Sequence, residues 1–164
     1  VPTPHRELAP ATLKATFHFA AVGAQPALKL VWHQGDSKPP GWLPAWGGRS
    51  CVFIGTNGML LGNGKLLPEE KFKDFETPPE TLPRSPRQWI EWVNHAKGNG
   101  PVPGSNFQYS GWTTETNHLG NVAYRAGKKI EWDYKKLLAT NAPEAAPFIK
   151  RPVYRKGWDG ILKA

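Results

Sequence analysis

From Leu13 onward the chain alternates: Leu13, Ala15, Phe17, Phe19 and Ala21 fall on one side, and Lys14, Thr16 and His18 on the other. A half-buried strand requires this spacing. Leu28, Leu30 and Trp32 repeat it after Gly23-Ala24-Gln25-Pro26, which predicts a β-hairpin. Pairing Phe17 with Trp32, Phe19 with Leu30 and Ala21 with Leu28 gathers the large apolar side chains on one face. Further on, Cys51-Val-Phe-Ile54, Met59-Leu-Leu61 and Lys65-Leu-Leu67 are separated by Asn57-Gly58 and Asn63-Gly64. Type I′ turns favour these dipeptides, so the three runs predict a meander with Cys51 as a small core residue.

The period then changes to that of helices. Ser85 at the N-cap, Pro86 at the first helical position, Gln88 closing a capping box and Gly98 beyond the end bracket one helix, with Trp89, Trp92, Val93 and Ala96 as its buried stripe. A second helix runs from about Ser105 to Arg125, with Trp112, Leu119, Ala123 and Ala126 on one face. Ile130 and Trp132 alternate with Lys129 and Glu131 in a closing strand, and residues 134–164 read as a short helix with a proline-punctuated tail. Strands, then helices, then a strand predict an α+β fold: a mostly antiparallel open sheet with helices packed on one face, in a single domain.

Composition refines this picture. A chain of 164 residues can bury a core, while 17 glycines and 17 prolines demand many turns. Residues 1–12 read as an extended connection, 34–49 as a long loop rich in Gly, Pro and Trp, and 68–84 as a surface loop. A net charge of +8 raises the question of nucleic acid, but Lys128-Lys129, Lys135-Lys136, Lys150-Arg151 and Arg155-Lys156 are scattered pairs. They match no nucleic-acid-binding motif and predict a solvated basic surface. The lone Cys51 excludes an internal disulfide framework, and no apolar run has the length of a membrane span. Without an initiator Met or a signal-like start, the chain reads as cut or processed.

Candidate chemistry is sparse. A dinucleotide fold needs a glycine-rich turn between a strand and a helix; Gly62-Asn-Gly64 and Gly98-Asn-Gly100 open no helix and read as turns. No P-loop, nucleophile elbow or zinc helix is present, and the five histidines show no metal-ligand spacing. The hairpin register places His18 and His33 one diagonal step apart on the polar face, where two solvated histidines are the plainer reading and a shared ligand the sharper one. Trp42 and Trp46, with Trp32 beside them, lie where rings could stack on a sugar, whereas Trp89, Trp92, Trp112 and Trp132 read as core. Glu115 and His118, three apart on one helix face, suit either an ordinary side-chain contact or an acid–base pair.

One run is more informative. Tyr109-Ser-Gly-Trp-Thr-Thr-Glu-Thr-Asn-His-Leu-Gly-Asn-Val-Ala-Tyr-Arg-Ala-Gly-Lys-Lys-Ile-Glu-Trp-Asp133, then Thr140-Asn-Ala-Pro-Glu-Ala145 and Tyr154-Arg-Lys-Gly-Trp158, resembles the C-terminal region of the glucose-fructose oxidoreductase / inositol dehydrogenase / MocA family. The similarity is to its bacterial, planctomycete-like branch. Leu28-Lys-Leu-Val-Trp-His-Gln-Gly35 with Lys38-Pro-Pro40, and Val52-Phe-Ile-Gly-Thr-Asn-Gly58, extend the resemblance over residues 8–160.

The resemblance implies the C-terminal α+β domain of an NAD(P)-dependent oxidoreductase acting on a sugar or polyol-like substrate. Its Rossmann domain, with the Glu-Lys-Pro and Asp-x-x-x-His motifs, would lie upstream. This chain would carry no catalytic, cofactor-binding or metal residue, and alone would be inactive. Its implied partners are that Rossmann domain, the sugar or polyol, and further copies of itself through the sheet, with no nucleic acid or membrane. Its compartment would be the bacterial cytoplasm, or the periplasm if a signal was lost. Lys14, Thr16, His18, His33, Trp42 and Trp46 are the candidate substrate wall. A stand-alone carbohydrate-binding module, or a domain of an NAD-dependent glycosidase of the same family, is the alternative.

Overall fold

A computed structural model describes residues 8–43, 46, 51–151 and 153–158. The first seven residues of the connection expected over 1–12, most of the stretch 44–50, residue 152 and the end of the tail at 159–164 lie outside the described residues. The fold is α+β with open antiparallel sheets. It divides into two compact units, one built from the residues up to Ser37 and from Pro86 on, the other from Lys38 to Ser85.

In the first unit, β1 (Leu13–Phe19) pairs antiparallel with β2 (Leu28–Gln34). The expected faces are present, but the register is two residues away from the expected one: Phe17 lies opposite Leu30, Ala15 opposite Trp32 and Phe19 opposite Leu28. Turn chemistry explains the shift. Val22 and Gln25 exchange both backbone bonds around Gly23-Ala24, with Gly23 at φ +57. The expected register would close on Gly23 and Pro26, and Pro26 has no N–H to give. A slip of two preserves side-chain facing, so hydrophobic pattern alone could not distinguish the two registers.

The helix α2 (Phe107–Ala126) carries both ends in its sequence. The Asn106 side chain accepts from the Tyr109 amide, and Gly127 at φ +66 closes a Schellman motif in which Lys128 N–H reaches the Ala123 carbonyl. Gly120, buried in the second half of the helix, faces β1. A Cβ there would stand 3.2 Å from Phe17 Cζ and 3.5 Å from the Ala15 Cβ. The missing side chain is therefore what lets the hairpin sit against the helix.

The other helix, α1 (Gln88–Ala96), starts later than its punctuation suggests. Arg87 at φ +109 is the N-cap and its own side chain makes no capping bond, and this backbone turn places Ser85 and Pro86 before the helix. Gly98 follows the helix at φ +75 as expected. Glu91 Oε2 accepts from the Gly104 amide, and Trp92 Nε1 donates to Ser105 Oγ, which ties the helix to the loop before α2.

After α2 the chain forms a small hairpin, β6 (Trp132–Asp133) with β7 (Leu138–Ala139), where one strand and then a helix were expected. Asp133 produces the reversal by accepting from the amides of Lys135 and Lys136. These bonds, the Lys136 amide foremost, hold its carboxyl below the usual carboxylate range despite an opposing effect of burial. The short helix α3 (Ala146–Ile149) follows a 3-10 turn at Pro143–Ala145. Val122, Ala139, Ala142 and Ala145 form the buried core, with Ala126, Ile130 and Ile149 around it. Asn141 locks this region: Oδ1 accepts from the Glu131 amide and Nδ2 donates to the Lys129 carbonyl.

The core expected from the sequence is largely outside. Trp89 is 73% exposed, Trp112 58% and Trp92 39%. Trp92 packs edge-on against Phe107, and Trp112 against Tyr134, as surface aromatic pairs. Only Trp132 of that expected set is half-buried.

In the second unit, β3 (Val52–Ile54), β4 (Met59–Leu61) and β5 (Leu66–Leu67) form the expected meander, with Leu61 buried. Its turns are not type I′, since neither Asn57 nor Asn63 has positive φ. One reversal centres on Thr56-Asn57, closed by Gly55 and Gly58. The other is a three-residue loop ending in Gly64 at φ +89, with Asn63 Oδ1 accepting from the Lys65 amide. Gly58 is sterically required, as a Cβ there would lie 2.6 Å from the Phe72 ring. Phe72 belongs to a 3-10 helix, Glu69–Phe72, inside the stretch expected to be irregular. Cys51 is exposed at the edge of the meander, not a core residue.

Candidate functional site

The polar face of the first hairpin carries Lys14 opposite His33, Thr16 opposite Val31, and His18 opposite Lys29. The observed register therefore separates the two histidines. His18 lies four residues along the strand from the partner of His33, about 13 Å at a strand's rise, so the sharper reading, a ligand shared by the two, is not assembled. Each histidine instead stands across from a lysine. His33 is half-buried and its Nδ1 hydrogen-bonds Ser37 Oγ at 2.9 Å, while Gln34 Nε2 donates to the Pro10 carbonyl. Lys14, Thr16 and His18 are exposed.

Trp42 and Trp46 belong to the second unit. Both are half-buried, and Lys38 Nζ stands 5.3 Å from the centroid of the Trp42 ring. One face of that ring thus receives a cation, an arrangement that competes with sugar stacking.

A second location gathers more chemistry. Along α2, a cleft of about 680 Å³ opens between the helix, Trp132 and α3. Its polar wall holds Thr114, Glu115, His118, Asn121, Tyr124 and Arg125. Spacings of three and four bring Glu115, His118, Val122 and Arg125 to one side of the helix. Glu115 accepts from Trp132 Nε1, and no ion pair joins it to His118, so the acid–base alternative is not assembled. The Arg125 guanidinium lies over the Phe148 ring at 5.9 Å. The spacing of Glu115 and His118 marked this helix face in the sequence, but Arg125 was unmarked because its surroundings come from residues 132–149.

Among the described residues no group of three or more His, Cys, Asp or Glu is placed to hold a metal ion, and no helix is long and apolar enough to cross a membrane. Neither α1 nor α2 follows a strand through a glycine-rich turn. Comparison with protein-family models, curated proteins and solved structures returns no match in any of the three.

Proposed function

We propose that this chain is the C-terminal, substrate-side and subunit-contact domain of an NAD(P)-dependent oxidoreductase of the glucose-fructose oxidoreductase / inositol dehydrogenase / MocA type, acting on a sugar or polyol. The observation that carries the reading is the hairpin. Its apolar face is covered by α2 at Ala15 and Phe17, while Leu28 and Trp32 remain 59% and 51% exposed. An apolar sheet face left in this state suits a domain that meets other polypeptide. The resemblance of residues 109–133, which fold as α2 and the strand after it, supplies the kind of polypeptide.

In this reading the nucleotide and the acid–base residues belong to an upstream Rossmann domain, and hydride transfer is the chemistry the nucleotide supplies there. Residues of this chain bind and orient. Lys14 and His33, facing one another across the strands, supply hydrogen-bond donors for substrate hydroxyls, with Thr16 beside them and His18 and Lys29 further along the same face. Copies of the domain associate through the open sheet. The rival reading as a free carbohydrate-binding module depends on Trp42 and Trp46, and the lysine on Trp42 weighs against it.

The intact mass of the natural gene product tests the proposal. A product longer by roughly two hundred residues supports it, since that is the size of an added nucleotide-binding domain. A natural product of 18.2 kDa overturns it.

A further inference from the structure

We propose that the cleft along α2 is a binding site for a small organic monocarboxylate, with the carboxylate held by Arg125. The inference is independent of the oxidoreductase reading, because none of the residues of the proposed substrate wall enters it. A cleft of about 680 Å³ is within the usual size of small-molecule sites. Arg125 is half-buried on its wall and makes no ion pair among the described residues, and its guanidinium carbon lies 5.9 Å from the centre of the Phe148 ring. The planar fork of a guanidinium matches the two oxygens of a carboxylate.

The cleft is also polarised. Glu115, already engaged by the Trp132 indole, stands ten residues from Arg125, about 15 Å along the helix. An anion is therefore favoured at one end, and a hydroxyl or amide donor at the other. His118, Asn121 and Tyr124 offer hydrogen bonds between the two, while Val122, Phe148 and Ile149 require an apolar body. One unpaired guanidinium offsets one negative charge, so a monocarboxylate with a ring or alkyl group fits where a dianionic phosphate would remain half-neutralised.

Trp132 provides the readout, because it lines the cleft and its indole N–H is bonded to Glu115 on the same wall. The full 164-residue chain, labelled with 15N, is titrated with benzoate, with benzyl alcohol and with inorganic phosphate, and the Trp132 indole signal is identified by its loss in Trp132→Phe. The expected result is a saturable shift with benzoate, at least tenfold weaker binding of benzyl alcohol, and at least tenfold weaker benzoate binding in Arg125→Gln. Asn121→Trp, which fills the cleft and leaves the guanidinium intact, tests the same assignment and should abolish the shift. Either variant counts once its circular dichroism matches that of the parent. The proposal is overturned by the absence of a saturable shift up to the solubility limit, by equal binding of benzyl alcohol, by phosphate saturating the signal where benzoate does not, or by benzoate binding that survives in a folded variant.

Discussion

The region around α3 and the first hairpin spend their side chains in opposite ways. Around α3 the buried residues are small, and Ala142 and Ala145 are fully enclosed. Polar clamps from Asn141 and Thr140 fix the backbone there. On the hairpin the residues are large, yet Leu28, Leu30 and Trp32 are open to solvent. The difference shows that hydrophobicity measures how much a residue gains from being covered and leaves open what covers it. Alanines enclosed by their own chain stabilise the chain modestly. Tryptophans in the open leave apolar area that the proposed subunit contact would cover.

Substitutions can break this contrast. The largest effect is expected from Ala142→Leu, where overpacking a site with 0% exposure should destabilise by about 3 kcal/mol in urea unfolding. Next is Gly120→Leu, which pushes a side chain into the close approach of Phe17 and should cost about 2 kcal/mol, outweighing the gain in helix propensity. Asn141→Ala removes two hydrogen bonds to the backbone and should cost about 1–2 kcal/mol. An unchanged urea midpoint in that variant would show that the clamp is dispensable. On the other side of the contrast, Trp32→Ser should leave monomer stability within about 0.5 kcal/mol while weakening self-association in sedimentation velocity. A large loss of stability would mean that the open face is already covered within the chain.

The smallest effect is set by pH. The hydrogen bond and charge of Lys128 hold the exposed Glu144 carboxyl below its ordinary value of 4.5. Because the folded value is the lower one, the pair contributes above the unfolded value, and the contribution disappears as pH falls through the folded value. The difference in melting temperature between the parent and Glu144→Gln should therefore be small at neutral pH and vanish in acid below 4.5.

Local structure was legible where the hydrophobic period was clear. Alternation located β1 and β2, and the helical period placed α2 to within two residues at its start and one at its end. Reading failed where two causes competed. The missing N–H of Pro26 selected a register that the apolar pattern allowed equally, and this separated His18 from His33. The helix punctuation at Ser85 lost to the backbone turn at Arg87. Asp133 folded the chain back into β7 through bonds to its own amides, which period-based reading does not register. Of the candidate sites, the polar hairpin face was legible from alternation. The Arg125 end of the cleft was not, because it depends on packing between distant segments.

The turn at Gly23-Ala24 has one further consequence. Facing is conserved when the strands slide by two residues and neighbours are not, so this hairpin works as a two-position dial. Replacing Pro26 with a residue that can donate, and moving the glycine one place along to position 24, would leave every apolar side chain on its side and bring His18 diagonal to His33. Descendants of this sequence could thus acquire a new pair of imidazoles on the open side of the sheet without redesigning what lies beneath it.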